Sequence, residues 1–228
     1  EAAVVTFVAV PVLAAADCVI EALQTTTGAV TDVGSVKGEL CSQIDHPRFV
    51  GGHPMAGSEL EGLDGADPEM FEGAVWVLTP TMSSDQSALS TVAGAVRELG
   101  AEMVAMAPGR HDETVAVVSH VPHLAAASLM GVAAAGASEH AALLRLAAGG
   151  FRDMTRIASG HPDIWIDICR QNRTEIVAAL DRLLEQLHGV RDIVERSDSD
   201  ALLDRLQAAR AARSNLPSRI GRPDQIAE

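Results

Sequence analysis

The pattern of apolar and polar positions divides the chain in two. Residues 2–10 (AAVVTFVAV) are nearly all apolar, rich in Val and closed by Pro11, the pattern of a strand covered on both faces in a parallel sheet. The Ala- and Leu-rich stretch that follows, to Gln24, supplies a crossover helix. Residues 29–33, 48–52, 74–78 and 102–106 read as further short strands, with a helix over 87–99 between the last two. This alternation predicts an α/β domain ending near Pro108. From His111 onward apolar residues fall at helical spacing instead. Ile176, Val177, Leu180, Leu183, Leu184, Leu187, Val190, Ile193 and Val194 form a stripe of i, i+3, i+4 and i+7 steps, while Glu175, Asp181, Arg182 and Glu185 lie off it. A shorter helix is expected over 200–213, and the Ala-rich residues 133–148 read as helix. The expected division is 1–109 α/β and 110–228 all-helical.

Composition narrows the function classes. With 47% apolar and 21% charged residues the chain has material for a sizeable core and is not a disordered segment. Only 4 Phe, 2 Trp and no Tyr are present, so the core falls to Val, Leu, Ile, Ala and Met. The 17 basic against 31 acidic side chains give a net charge of -14, the wrong sign for a general nucleic-acid binder. Most of that charge lies in residues 1–150, which hold 5 basic and 18 acidic side chains (-13). Three cysteines without C-x-x-C spacing fit a reducing cytoplasm and argue against a disulfide framework or thiolate zinc site. No unbroken apolar run reaches the roughly 18 residues of a membrane span. The first residues lack Met and a basic segment, so neither a natural start nor a signal peptide is expected there.

Several segments carry candidate chemistry. Asp32-Val33-Gly34-Ser35-Val36-Lys37 follows a strand and belongs at its C-terminal edge, where open parallel sheets place their ligands. Ser35 there is either a helix N-cap or a hydroxyl beside a substrate. Gly51-Gly52-His53-Pro54 has the same placement one strand later, with glycines and a proline holding a loop open. An imidazole in that position suits general-base work. The six acids from Glu59 to Glu72 read as a solvated acidic loop, with Glu59 near enough to His53 to matter to a pocket. His111-Asp112 and Ser119-His120-Val121-Pro122-His123 invite a metal reading, yet their spacing is not that of H-E-x-x-H. Ser119 and His123 share a helix face, and Pro122 predicts a kink. Arg152, Asp153 and Arg156 allow an ordinary surface ion pair; alternatively, Arg156 held among apolar residues by Asp153 is a carboxylate receptor.

Taken in order, VAVP, TDVGSVK, GGHPMAGSE, FEGAVWVLTP, HD with SHVPH, GGFRDMTRIASGHPDIW and the DIxxxN ending at Asn172 resemble the prephenate dehydrogenase family of tyrosine biosynthesis. The match runs from about Val4 to Asn172, and its specificity lies in the order and spacing of motifs that are individually weak. The resemblance implies a Rossmann-type nucleotide-binding domain followed by an all-helical domain that dimerises. It also implies NAD-dependent oxidative decarboxylation of prephenate to 4-hydroxyphenylpyruvate in a cytoplasmic homodimer that engages neither nucleic acid nor membrane. By motif, His53 is implied as the base for the C4 hydroxyl and Ser35 as its partner. Arg156 is implied as the receptor for a substrate carboxylate, oriented by Asp153. His123 and Ser119 complete the polar lining, Trp165 walls the ring and Glu59 acts at the mouth. Val10, Pro11, Asp32 and Ser35 are implied beside the cofactor, and no metal is.

The departure from the family pattern is at the N-terminus. A dinucleotide-binding enzyme is expected to open on a strand, G-x-G-x-x-G and a helix, with an acid about 20 residues on. The sequence has none of these, so it reads as the latter part of a nucleotide-binding domain, with a glycine-rich loop expected upstream. NADP stays open as the cofactor. Arogenate dehydrogenase, a non-catalytic regulatory or dimerisation module and a His-rich metal hydrolase stay open as functions.

Overall fold

The computed structural model describes residues 3–57, 62–140 and 142–216. Its first half is a five-stranded sheet in the order β1 (Val5–Val8), β2 (Ala29–Asp32), β3 (Phe49–Pro54), β4 (Val75–Thr79) and β5 (Glu102–Ala105). The first three strands are parallel, β4 runs antiparallel to β3, and β5 is parallel to β4. The sheet is therefore mixed rather than parallel throughout. Between β3 and β4 the described residues hold only the short 3-10 turn Gly62–Gly65, and a parallel crossover needs a connection that returns the chain to the starting edge. In this chain β1 is the outermost of the five strands, with Phe7 37% exposed, whereas every residue of β2 and β3 is buried.

Alternation along the inner strands fills two cores. Val30 and Phe49 point to one face, with Val19 and Leu23 of α1 (Ala15–Thr25) and Leu40 and Cys41 of α2 (Gly38–Gln43). Ala29 and Val50 point to the other, with Trp76, Leu78 and the Val92 and Val96 ridge of α3 (Gln86–Glu98). Arg48 ties the end of α1 to the sheet: its guanidinium donates to the carbonyls of Leu23, Thr26 (2.9 Å) and Gly28 (2.7 Å), satisfying acceptors that a helix terminus leaves unpaired.

The second half is helical. α4 (Pro108–Val115) passes through a π-helical turn, Ala116–His120, into α5 (Val121–Glu139). The irregularity immediately precedes Pro122, where the missing N–H makes a regular turn impossible. The Ala-rich region is helical only as far as the end of α5; beyond it the described residues include the 3-10 turn Leu144–Leu146. There follow α6 (Gly149–Thr155), the 3-10 turn Arg156–Ser159, α7 (Pro162–Gln171), α8 (Arg173–Glu195) and α9 (Ser199–Ser214). The periodic stripe is indeed one long helix, but only part of it is covered. Ile176 and Ala179 join Val36, Ala116, Val121 and Ile168 in a third core, while Val177, Leu184, Leu187 and Val194 remain exposed.

The stretch Pro108–Ala137 is long and apolar enough, by length and composition alone, to cross a membrane, with a mean hydropathy of 1.5 in its most apolar part. This differs from the expectation from unbroken apolar runs because polar residues interrupt this helix. Three of them, His111, Asp112 and His120, are buried and hydrogen-bonded inside the fold.

Candidate active site

The C-terminal ends of β1, β2 and β3 lie at one edge of the sheet, and α4, the π turn and α7 close over that edge. A cavity of about 740 Å³ opens there, with Ser35 and His53 on the sheet side and Ser119, His120, Ile164 and Trp165 on the helical side. A second groove of about 520 Å³ runs along the ends of β1 and β2, lined by Ala9, Val10, Pro11, Val12, Val33, Gly34 and Ser35 and closed by Asp163 and Asp167. Ser35 lines both spaces and so marks where they meet.

His53 is not in an open loop. It is the penultimate residue of β3, 8% exposed, and pairs with Val77 of β4. The preceding glycines serve close packing. A Cβ on Gly51 would sit 2.4 Å from Thr79 Oγ1, and one on Gly52 would sit 2.6 Å from the Asp32 carbonyl oxygen. Ser35 does not cap α2, whose N-cap is Lys37. That end is capped from a distance by Asp112, which accepts from the N–H groups of Lys37 (2.8 Å) and Gly38 (2.7 Å). Ser35 is half-buried and open to both spaces.

Asp32, expected beside the cofactor, faces inward at 1% exposure. Its carboxylate accepts from Gly34 N (2.8 Å), Gly52 N (3.0 Å) and the ammonium of Lys37, the chain's one lysine, itself fully buried. The pair braces the Ser35 loop against β3 from beneath the groove. Val10 and Pro11 do line the groove.

The residues behind His53 were visible in the sequence as a possible metal cluster and as pieces of the ordered motifs, but not as its partners. His53 Nδ1 lies 2.8 Å from His111 Nε2, and His111 Nδ1 lies 2.7 Å from Asp112 Oδ1. Asn172 Nδ2 donates to the Asp112 carbonyl (2.9 Å) and to His120 Nδ1 (3.1 Å), so it fixes His120 as an imidazole protonated on Nε2. Burial, with His111, Lys37 and His120 nearby, holds the His53 imidazole well below the ordinary histidine range. Burial lowers His120 to about 4, against the opposing pull of Asp112.

On the helical side His123 stacks on Trp165, with centroids 3.6 Å apart and planes 10° from parallel, and burial lowers its pKa. Ser119, His123 and Trp165 line a smaller space of about 310 Å³. Arg156 and Asp153 are both exposed, one on the 3-10 turn after α6 and the other on α6 itself, and neither lines the main cavity. Arg170 and Arg173, which sequence reasoning did not single out, line a groove of about 580 Å³ on the far side of Trp165. Glu59 lies outside the described residues. Among the described residues no group of three or more His, Cys, Asp or Glu side chains is arranged to hold a metal ion.

Two family models match this chain. Residues 1–105 match the nucleotide-binding domain of prephenate dehydrogenase and residues 107–208 its dimerization domain. A prephenate dehydrogenase of Bacillus subtilis is 37% identical over 195 residues, which cover 83% of this chain and 53% of that protein. A cyclohexadienyl dehydrogenase of Zymomonas mobilis is 31% identical, with 81% and 64% covered. The crystal structure of the A. aeolicus prephenate dehydrogenase in complex with hydroxyphenyl propionate and NAD+ superposes with a TM-score of 0.87 at 29% identity, covering 94% of this chain and 77% of that one. The Synechocystis arogenate dehydrogenase superposes with a TM-score of 0.80 at 29% identity, covering 93% and 78%. The chain thus spans between about half and two thirds of the length of these two curated relatives.

Proposed function

The chain belongs to the prephenate dehydrogenase family, and on that premise we propose that it carries the substrate site of an NAD-dependent oxidative decarboxylation of prephenate to 4-hydroxyphenylpyruvate. The observation that carries the reading is the junction at Ser35. One hydroxyl borders both the cavity that holds His53 and the groove at the ends of β1 and β2 where a nucleotide-binding sheet receives its ligand. That groove is largely apolar and shares Ser35 with the cavity, so Val10, Pro11, Val33 and Ser35 fit the nicotinamide end of the cofactor. When bound, NAD supplies the acceptor for the hydride that leaves the C4 carbinol carbon.

The chain's own part is proton management, orientation and exclusion of water. His53 Nε2 faces the cavity, because Nδ1 is engaged by His111. With its pKa held low the ring is neutral at neutral pH and accepts the C4 hydroxyl proton on its bare nitrogen as the C–H bond breaks. Ser35 orients that hydroxyl. Loss of CO2 then restores ring aromaticity: the electron pair of the broken C–C bond passes through the ring to the C4 oxygen, which takes back the proton held by His53. Trp165, stacked on His123, gives the substrate ring a flat wall. Arg156, oriented by Asp153, is the proposed receptor for a substrate carboxylate, with His123 and Ser119 beside it and Glu59 at the mouth. The exposed Val177, Leu184, Leu187 and Val194 of α8 and Leu203 and Leu206 of α9 supply the face for a homodimer, in keeping with the matched dimerization domain. The three cysteines are free, which suits a cytoplasmic enzyme.

The likeness to the Synechocystis enzyme favours one second reading, that the substrate is arogenate. The test is NAD reduction by the full-length protein with each substrate, alongside His53→Asn. Turnover of prephenate that His53→Asn abolishes, with prephenate binding retained, is the expected result. Faster turnover of arogenate selects the second reading, and undiminished turnover by the variant overturns the role of His53.

A further inference from the structure

We propose that Asp112 and His111 are positioning residues whose hydrogen bonds run in one direction into His53 and hold its imidazole in the tautomer with Nε2 unprotonated. The inference rests on the reading of His53 as the base and adds what makes it one.

The direction starts at the carboxylate. Asp112 Oδ1 accepts from Lys37 N (2.8 Å), Oδ2 accepts from Gly38 N (2.7 Å), and Oδ1 also faces His111 Nδ1 at 2.7 Å. An ionised carboxylate only accepts, so the proton between them belongs to His111 Nδ1. With one N–H on the ring, His111 Nε2 is then an acceptor. It stands 2.8 Å from His53 Nδ1, which must carry the shared proton. The lone pair of His53 is left on Nε2, the nitrogen on the cavity side. All three side chains are buried, His111 at 0%, Asp112 at 5% and His53 at 8% exposure, so water does not compete for these bonds.

The surroundings reinforce this arrangement. Lys37 and His120 are the other titratable groups acting on His53. The Lys37 ammonium is bound by Asp32, and the bare nitrogen of His120 is occupied by Asn172. Neither offers His53 Nδ1 an alternative partner. A ring without His111 would be free to carry its proton on Nε2, and such a ring cannot accept the substrate proton.

The variants His111→Phe and His111→Gln separate this role from mere packing. Phe keeps a flat ring but offers no acceptor. Gln restores the direction, since its oxygen accepts from His53 and its amide donates to Asp112. The first readout is 15N NMR of histidine-labelled chain without substrate or cofactor. The wild type should show His53 protonated on Nδ1 and bare on Nε2, His111→Phe a mixture of tautomers, and His111→Gln the wild-type state. The second readout is turnover of prephenate with NAD by the full-length protein. His111→Phe should lower kcat by about 100-fold or more with KM changed less than about twofold, and His111→Gln should recover most of the loss. His53 protonated on Nε2 in the wild type, or His111→Phe with wild-type tautomer and kcat, overturns the proposal. Should His111→Phe fail to fold, the wild-type spectrum and His111→Gln still decide. If His53→Asn abolishes turnover while His111→Phe does not lower it, this inference falls and the base reading stands. If His53→Asn turns over normally, the base reading falls whatever the tautomer.

Discussion

The imidazole of His123 lies flat on the indole of Trp165, and Gly160 makes room for the pair: a Cβ there would stand 3.1 Å from Trp165 Nε1 and 3.4 Å from His123 Cε1. Trp165→Leu removes the plane that shields His123. Burial is what lowers the His123 pKa, so in this variant it should rise back toward the ordinary value of about 6.5, as read by NMR titration of the His123 ring. The KM for prephenate should rise by up to about tenfold, the range expected for loss of one aromatic contact. An unmoved titration would show that the stack does not shield the ring.

Arg156→Ala tests the carboxylate receptor. Arg156 is exposed and the net charge of -14 repels an anionic substrate at long range, so a local cation has a measurable task. The expected outcome in steady-state kinetics is a KM raised by about 10- to 100-fold with kcat little changed, the scale of a charge-assisted hydrogen bond. If KM is unchanged, Arg170 and Arg173, on the other side of Trp165, become the next cations to replace.

The buried pair Lys37 and Asp32 makes a prediction about stability. Lys37→Met leaves a carboxylate at 1% exposure without its cation, which should cost about 3–5 kcal/mol in urea unfolding. Asp32→Asn added to Lys37→Met removes the uncompensated charge and should recover part of that loss. A double variant no more stable than Lys37→Met would count against charge as the cause.

Stability should also fall with acid in a window set by histidines. His53, His120 and His123 all have pKa values lowered in the fold, so between those values and about 6.5 the unfolded chain binds more protons. The stabilisation is complete above pH 6.5 and is lost as pH drops below it. For His120 alone, the shift from 6.5 to about 4 corresponds to roughly 3 kcal/mol. Urea midpoints between pH 7.5 and 4.5 check this, and a flat profile would show that the three rings titrate normally.

Much of this was legible in the sequence, for identifiable reasons. The stripe from Ile176 to Val194 has a period that only a helix satisfies, and α8 spans it as one element. Ser35, His53, Ser119 and Trp165 sit in ordered motifs, and one cavity brings all four together. The inward turn of Asp32 was not legible because a polar residue at a strand end reads the same whether it points to a ligand or to a buried lysine five residues on. The antiparallel β4 was hidden because strand composition does not encode direction; the signal available was the lack of a helix-length apolar pattern between His53 and Val75. His111 and Asp112 were visible as residues but not as partners of His53, since their bond spans 58 positions and exists only after the helix docks on the sheet.

Asp112 ties two segments to α4, through its carboxylate to Lys37 and Gly38 and through its carbonyl to Asn172. The nucleotide-binding and helical halves are therefore not interchangeable modules. A chimera joined near Pro108 would take its sheet from one parent and Asp112, His111 and Asn172 from the other, and the α2 terminus that receives the carboxylate would have to match. Recombination between distant relatives should accordingly succeed only when the 34–38 loop travels together with the first turn of α4.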